Sequence, residues 1–273
     1  MTILTAAIIG LIQGLTEILP ISSSAHLIII PTLLNWPVPS LSYDVFLHGA
    51  TLLSIIIYFR KKLLGILKNA FIQIKSVKSA EKNKVNSSKT LLNLILSALP
   101  LIPFYLLTKS ITDNITSLPL LVIVLLILFG IPFLVITKWF EKNNKNITDL
   151  SKSNALVIGI FQSLSLLSGV SRSGITTIGG LTQGLKKIEA QEYAFISGVI
   201  TIGGSFLLEL FKTINQPLQE PLENLIIGGV VAFISGYLTI GMMMKFIQKH
   251  SLSVFGFYRI IIGTLFLLFL YLR

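Results

Sequence analysis

Followed for the alternation of apolar and polar residues, the chain divides into long hydrophobic stretches set off by short polar ones. Residues 43–59, 91–108, 118–137, 192–210, 225–244 and 255–272 each approach the roughly 20 apolar residues that carry a helix across a bilayer. Two further stretches do not fit that template. Residues 2–19 are apolar but run into Pro20, and the apolar run that follows, 27–35, is too short to cross. Residues 154–185 repeat the arrangement around SGVSRSGITTIGG. Backbone that breaks at membrane depth must be enclosed by protein, so each stretch is expected to be a re-entrant helix pair that enters and leaves on one side. Pro100 and Pro103 should kink the crossing 91–108, and KSITDNITS should be a short link to the next.

Each half then holds one re-entrant pair and three crossings, and an odd number of crossings inverts the second half relative to the first. The expected fold is therefore an all-α polytopic membrane protein with an inverted-topology repeat, about six transmembrane helices plus two re-entrant pairs. It forms a single membrane domain over 1–273, with repeat one about 1–137 and repeat two about 154–273. The duplication is visible residue by residue at an offset of 149: Gly10 meets Gly159, Gln13 meets Gln162, Leu15 meets Leu164, Ser22 meets Ser171 and Ser24 meets Ser173. Pro20 faces Gly169, one helix breaker for another, while Phe46 meets Phe195 and Gly49 meets Gly198. The halves differ where chemistry needs two kinds of group. Glu17 faces Leu166, and Ser23 faces Arg172.

Composition agrees with a membrane protein: 53% of the 273 residues are hydrophobic and 12% charged, where a soluble domain has about a quarter charged. Mean hydropathy is +0.83. The net charge of +11 raises nucleic acid as a partner, but the placement of the charges argues against it. Nine of the 22 Lys and Arg residues lie between Arg60 and Lys89 and four between Lys138 and Lys152. This is a positive-inside pattern, so loops 60–90 and 138–153 should be cytoplasmic, the first partly an amphipathic surface helix. With Lys186, Lys187, Lys245 and Lys249, the cytoplasmic total reaches 17 against three outside, Lys109, Lys212 and Arg273. Zero cysteines exclude disulfides, thiol nucleophiles and iron–sulfur clusters. The N-terminus lacks a basic n-region, so no cleaved signal peptide is expected.

The candidate chemistry sits at the two breaks. In GLIQGLTEILPISSSAH, Gln13 and Glu17 share a helix face at i, i+4, and a carboxylate at bilayer depth marks a functional site by default. Pro20 stops that helix, and Ser22, Ser23, Ser24 and His26 open the next, whose free N–H groups favour an anion. Arg172 in SRSG offers a guanidinium fork suited to phosphate, beside Ser171, Ser173 and Gly174. A plain ion pair between Arg172 and Glu17 is the structural alternative, and helix capping is that for the serines. His26 lies three residues after Ser23 and could act as its base or acid. His48 and His250 read as ordinary core histidines. Tyr258 and Arg259 could be an interfacial anchor with Arg259 snorkelling outward, or a phosphate contact.

The segments QGLTE, LPISSSAH and SGVSRSG, with DVFLHGATLL and VFGFYRI in their expected places, resemble the undecaprenyl-pyrophosphate phosphatase (bacitracin-resistance) family over essentially the whole chain. The resemblance implies an integral membrane phosphatase of the plasma (inner) membrane. Such an enzyme removes the terminal phosphate of a polyprenyl diphosphate so that the lipid carrier returns to envelope synthesis. It implies catalytic roles for Ser23, His26, Glu17 and Arg172. Substrate-binding roles fall to Gln13, Ser22, Ser24, Ser171, Ser173 and Gly174, and Glu17 is a candidate ligand for a divalent cation, Mg²⁺ or Ca²⁺. No organic cofactor is expected. Partners are the polyprenyl diphosphate and membrane lipids, with a homo-oligomer allowed and no nucleic acid. Three positions depart from the family pattern: Gln13 stands where many members have Glu, Ser168 replaces the usual proline and Ala25 the usual glycine. The expected mechanism is attack by Ser23 with His26 moving the proton, or attack by water with Glu17 as base. A lipid-phosphate flippase, using the same cavity without hydrolysis, is the rival from another class.

Overall fold

A computed structural model describes residues 1–37, 39–75, 82–115, 118–140, 142–213 and 219–272. Among them the structure is helical, with one isolated bridge between Lys145 and Leu185. The first re-entrant pair is α1 (Ile3–Ile18) and α2 (Ser23–Leu34), followed by the crossing α3 (Leu41–Tyr58). Then come α4 (Arg60–Lys75), α5 (Lys82–Ala98), α6 (Leu101–Ile115), α7 (Pro119–Leu128) and α8 (Ile131–Trp139). The second pair is α9 (Lys152–Ser163) and α10 (Arg172–Thr182), followed by α11 (Lys187–Thr213), α12 (Leu222–Lys249) and α13 (Ser253–Leu272). By length and composition 6 helical stretches can cross a membrane: Leu41–Tyr58, Ser87–Lys109, Pro119–Ile136, Lys187–Lys212, Leu222–Lys249 and Ser253–Leu272. α1 and α2 are apolar but shorter.

Four local expectations change. The stretch 60–90 is mostly helix rather than loop, because α4 prolongs the chain beyond Tyr58 and packs against α5. Lys, Leu and Ile favour continuing a helix over ending it at the membrane surface, and residues 76–81 lie outside the described residues. KSITDNITS is not a free link either, since α6 continues to Ile115, with residues 116 and 117 outside the description. The crossing 118–137 is broken between Leu128 and Ile131, ahead of a proline in the first turn of α8. At that break α13 comes close, and a Cβ on Gly256 would stand 2.7 Å from the Gly130 carbonyl. The expected kink at Pro100 is a full break between α5 and α6.

The two re-entrant pairs start on opposite faces. The amino terminus of α1 is held where α12 begins: the Met1 ammonium lies 3.6 Å from Glu220 Oε2, and Asn224 Nδ2 donates to the Met1 carbonyl at 2.8 Å. The segment before α9 is held where α11 begins, with Lys145 N donating to the Gly184 carbonyl at 3.1 Å and Lys186 N to the Lys145 carbonyl at 3.0 Å. The start of α11 meets the far end of α12, where Lys187 Nζ donates to the His250 carbonyl at 2.6 Å. The 28 residues of α12, about 42 Å of helix, therefore separate the two places.

Each pair packs on a crossing of the other half. α1 lies along α12 and α9 along α5. The matched glycines Gly10 and Gly159 permit both approaches: a Cβ on Gly10 would overlap the Gly228 carbonyl, and one on Gly159 would lie 2.6 Å from the Ser97 carbonyl. Small residues let helix backbones approach in this way inside a membrane.

Candidate active site

The two breaks meet as two tips. α1 stops at Ile18, because Pro20 cannot continue it, and the chain turns over into Ser22. Ser22 has φ 74° and ψ 99°, and its counterpart Ser171 has φ 74° and ψ 108°, a conformation that side-chain-bearing residues rarely adopt. Each serine caps the helix it precedes: Ala25 N donates to Ser22 Oγ at 3.4 Å and Gly174 N to Ser171 Oγ at 3.3 Å. The tips also bond across to each other. Gly169 N donates to Ser24 Oγ at 3.2 Å, and Ser173 Oγ donates to the Leu19 carbonyl at 3.4 Å. Helices α2 and α10 therefore present their amino ends at one place.

That place is a cavity of about 280 Å³ whose polar wall includes Glu17, Ser22, Ser23, Ser24, Ser171 and Arg172. Within it Ser23 Oγ donates to Glu17 Oε2 at 2.6 Å, and Arg172 Nη2 donates to Glu17 Oε1 at 3.1 Å. Arg172 Nη1 donates to the Ala194 carbonyl at 2.9 Å, and its Nε has no partner among the described residues. The guanidinium presses on Gly198, where a Cβ would overlap Nη1. Arg172 and Glu17 do form the ion pair considered above, and both line the cavity as well.

Several placements differ from the sequence-based expectation. His26 does not reach Ser23. Its Nδ1–H donates to the Ser22 carbonyl at 2.8 Å, which leaves Nε2 as acceptor from the Tyr258 hydroxyl at 2.9 Å. A spacing of three residues on a helix sets a shared face but not the rotamer, and the carbonyl one turn back captures the ring. Glu17, not His26, is the group at the Ser23 hydroxyl. Gln13 is fully buried and absent from the cavity wall, and neither end of its amide has a partner among the described residues. It shares the face of Glu17 but sits one turn away, about 6 Å along the helix.

Arg259 neither snorkels outward nor lines the cavity. It is fully buried and donates to four carbonyls: Leu126 through Nε (3.1 Å), Pro20 (3.4 Å) and Val170 (2.9 Å) through Nη1, and Gly169 through Nη2 (2.7 Å). His48 is not an ordinary core residue. It lines the cavity with Nε2 3.9 Å from Glu17 Oε2, and its Nδ1–H donates to the Asp44 carbonyl at 3.0 Å. Glu209 lines the cavity too and was missed. Both sit inside crossings, so the rule that singled out Glu17, an ionisable group at membrane depth, would have found them. His250 caps the end of α12 and stacks on Phe246 at 4.5 Å, away from the site.

The family model described as "Bacitracin resistance protein BacA" matches residues 6–265, a span that contains both tips and the helices that hold them. The chain belongs to the BacA family. BacA relatives named undecaprenyl-diphosphatase align along nearly the whole length. That of Pelobacter propionicus is 37% identical over 96% of this chain and 95% of its own. Those of Caldicellulosiruptor bescii, 35% identical over 100% of this chain and 99% of its own, and Campylobacter curvus, 32% identical over 99% and 100%, match as fully. In this BacA chain the polar residues of the cavity wall come from both halves, so neither repeat holds a complete site.

Proposed function

We propose that this chain is an integral membrane phosphatase that converts a polyprenyl diphosphate of the undecaprenyl type into the monophosphate and inorganic phosphate. The observation that carries the reading is the Ser23 hydroxyl held at 2.6 Å by Glu17, with the Arg172 guanidinium on the other carboxylate oxygen. A nucleophile, its base and a cation thus stand together at two helix amino termini. The cavity takes a diphosphate headgroup and leaves a long prenyl tail to the bilayer. The full-length likeness to undecaprenyl-diphosphatases supports the same substrate class. A plasma-membrane location follows from where such lipids are used.

In the mechanism, Ser23 Oγ attacks the terminal phosphorus while its proton passes to Glu17 Oε2. The bond from that phosphorus to the bridging oxygen breaks, and the polyprenyl monophosphate leaves with the bridging oxygen, which takes the proton from Glu17 and so returns that residue to the carboxylate. Water then attacks the phosphoserine, its proton passing to Glu17; the bond from phosphorus to Ser23 Oγ breaks, phosphate is released, and Oγ takes the proton back from Glu17. Arg172 and the N–H groups of α2 and α10 stabilise the charge on the transferred phosphoryl group. His26, fixed between the Ser22 carbonyl and Tyr258, sets the start of α2 and so the position of Ser23.

Among the described residues no three His, Asp or Glu side chains converge as a metal cage. A divalent cation still fits the donor set, because Mg²⁺ is commonly held by one or two carboxylates together with substrate phosphates. Glu17 and Glu209 are the cavity carboxylates that would hold it, and it would supply neutralisation of the diphosphate oxygens.

The test is phosphate release from a prenyl diphosphate by purified protein in detergent. Wild-type protein is expected to release one phosphate per substrate, and Ser23→Ala to release essentially none while still binding it. A lipid flippase would release none in either form. Substantial turnover by Ser23→Ala would replace the phosphoserine route with direct attack by water.

A further inference from the structure

Arg259 is a cation with no work assigned to it, although a buried guanidinium is costly to keep without a carboxylate. Its partners are all backbone carbonyls, and they come from three separated places: Pro20 in the first tip, Gly169 and Val170 in the second, and Leu126 at the end of α7. It lies on α13 next to Tyr258, whose hydroxyl holds His26. The Phe133 ring, 5.9 Å from the guanidinium carbon, closes another side.

The Val170 contact has a chemical consequence. A trans peptide is planar, with its C=O and N–H pointing in opposite directions. There are no cis peptides among the described residues. The Val170 carbonyl points at Arg259, at 2.9 Å, so the N–H of the same peptide, that of Ser171, points the other way. Ser171 lines the cavity and Arg259 does not. Ser171 is also the residue held at φ 74°, a backbone state that needs an outside restraint.

We infer that Arg259 is a positioning residue for phosphoryl transfer: from behind the second tip it turns the Val170–Ser171 peptide so that the Ser171 N–H meets the phosphate in the cavity. Bonding Pro20 as well, it keeps that N–H in register with the first tip, where Ser23 sits. This rests on the phosphatase reading and adds a backbone donor and its support. A donor set in place before reaction stabilises the transferred charge without reorganisation.

Two measurements test it. Val170–Ser171 is the only Val-Ser dipeptide in the chain, so carbonyl-¹³C valine with ¹⁵N serine gives one amide resonance in the wild-type protein. On addition of a prenyl methylenediphosphonate, which cannot be hydrolysed, that resonance is expected to shift. Its failure to move while the compound inhibits turnover would overturn the inference. In the second, Arg259→Lys keeps the charge, but one ammonium cannot span the carbonyls of both tips. It should lower kcat about 100-fold, the usual loss for one such donor, with KM within about threefold, since ground-state binding is retained. Unchanged kcat, or loss confined to KM, would reject it. If Arg259→Lys does not fold, the wild-type resonance decides alone. Absence of phosphate release by wild-type protein would instead remove the phosphatase reading, and would be seen before either measurement.

Discussion

At the scale of single residues, Arg172 is where shape matters more than charge. Its guanidinium serves Glu17 and the Ala194 carbonyl from two nitrogens and keeps Nε uncommitted. A lysine is a point charge and cannot make this fork. Arg172→Lys is expected to cut kcat about 100-fold while the protein stays folded, and wild-type turnover would reduce Arg172 to a structural counter-ion. Gly198 gives a sharper check, because it does not line the cavity. Its missing side chain is the space that Arg172 Nη1 occupies, so Gly198→Ala should displace the guanidinium and cost about 100-fold in kcat, the scale of an ångström-sized misplacement. Steady-state kinetics on the two variants, with thermal unfolding to confirm folding, decide both.

How much of the site was legible follows the same physics. Glu17 and Arg172 stood out because charge at membrane depth is expensive whatever the fold around it. The direction of His26 and the distance of Gln13 did not, because helical spacing gives a face and neither a rotamer nor a depth. His48 obeys the rule that found Glu17, but a lone histidine on an apolar helix reads as an ordinary core residue, and only the fold brings its ring to Glu17.

At the scale of elements, the tips depend on how α2 and α10 begin. Both start at a serine with positive φ that caps through its own hydroxyl. At such a position glycine relieves the backbone and loses only the side-chain cap, whereas alanine loses the cap and keeps the strained φ. Ser22→Ala is therefore expected to destabilise by about 1 kcal/mol, and Ser22→Gly by distinctly less, when unfolding is followed in detergent. The reverse order would mean that the hydroxyl rather than the backbone shape limits this turn. The serine run announced a helix start in the sequence, and Pro20 announced the break before it. The break between α7 and α8 was hidden because Gly130 and Pro132 lie in an unbroken apolar run; only the approach of Gly256 on α13 shows the use of a gap there.

At the scale of the whole molecule, the inverted duplication explains how one cavity obtains both an anion and a cation. The offset of 149 residues and the odd number of crossings were visible in the chain; which helices embrace was not, because packing of each pair on the other half is set by small-residue contacts far apart in sequence. Opposite entry of the two pairs is the property on which the meeting of Glu17 and Arg172 depends. The absence of native cysteine makes it directly measurable. Met1 and Glu220 are in contact at the start of α12, and the 143–146 segment lies with Gly184 and Lys186 near the start of α11, which meets the far end of α12. Single cysteines at Thr2 and Gln219 should therefore react with an impermeant maleimide from one side of the membrane, and a cysteine at Asn144 only from the other. The positive-inside pattern predicts that Asn144 reacts from the cytoplasmic side. Reaction of all three from one side would mean that the pairs enter together, and would overturn the inverted arrangement in which Ser23 and Arg172 reach the two oxygens of Glu17.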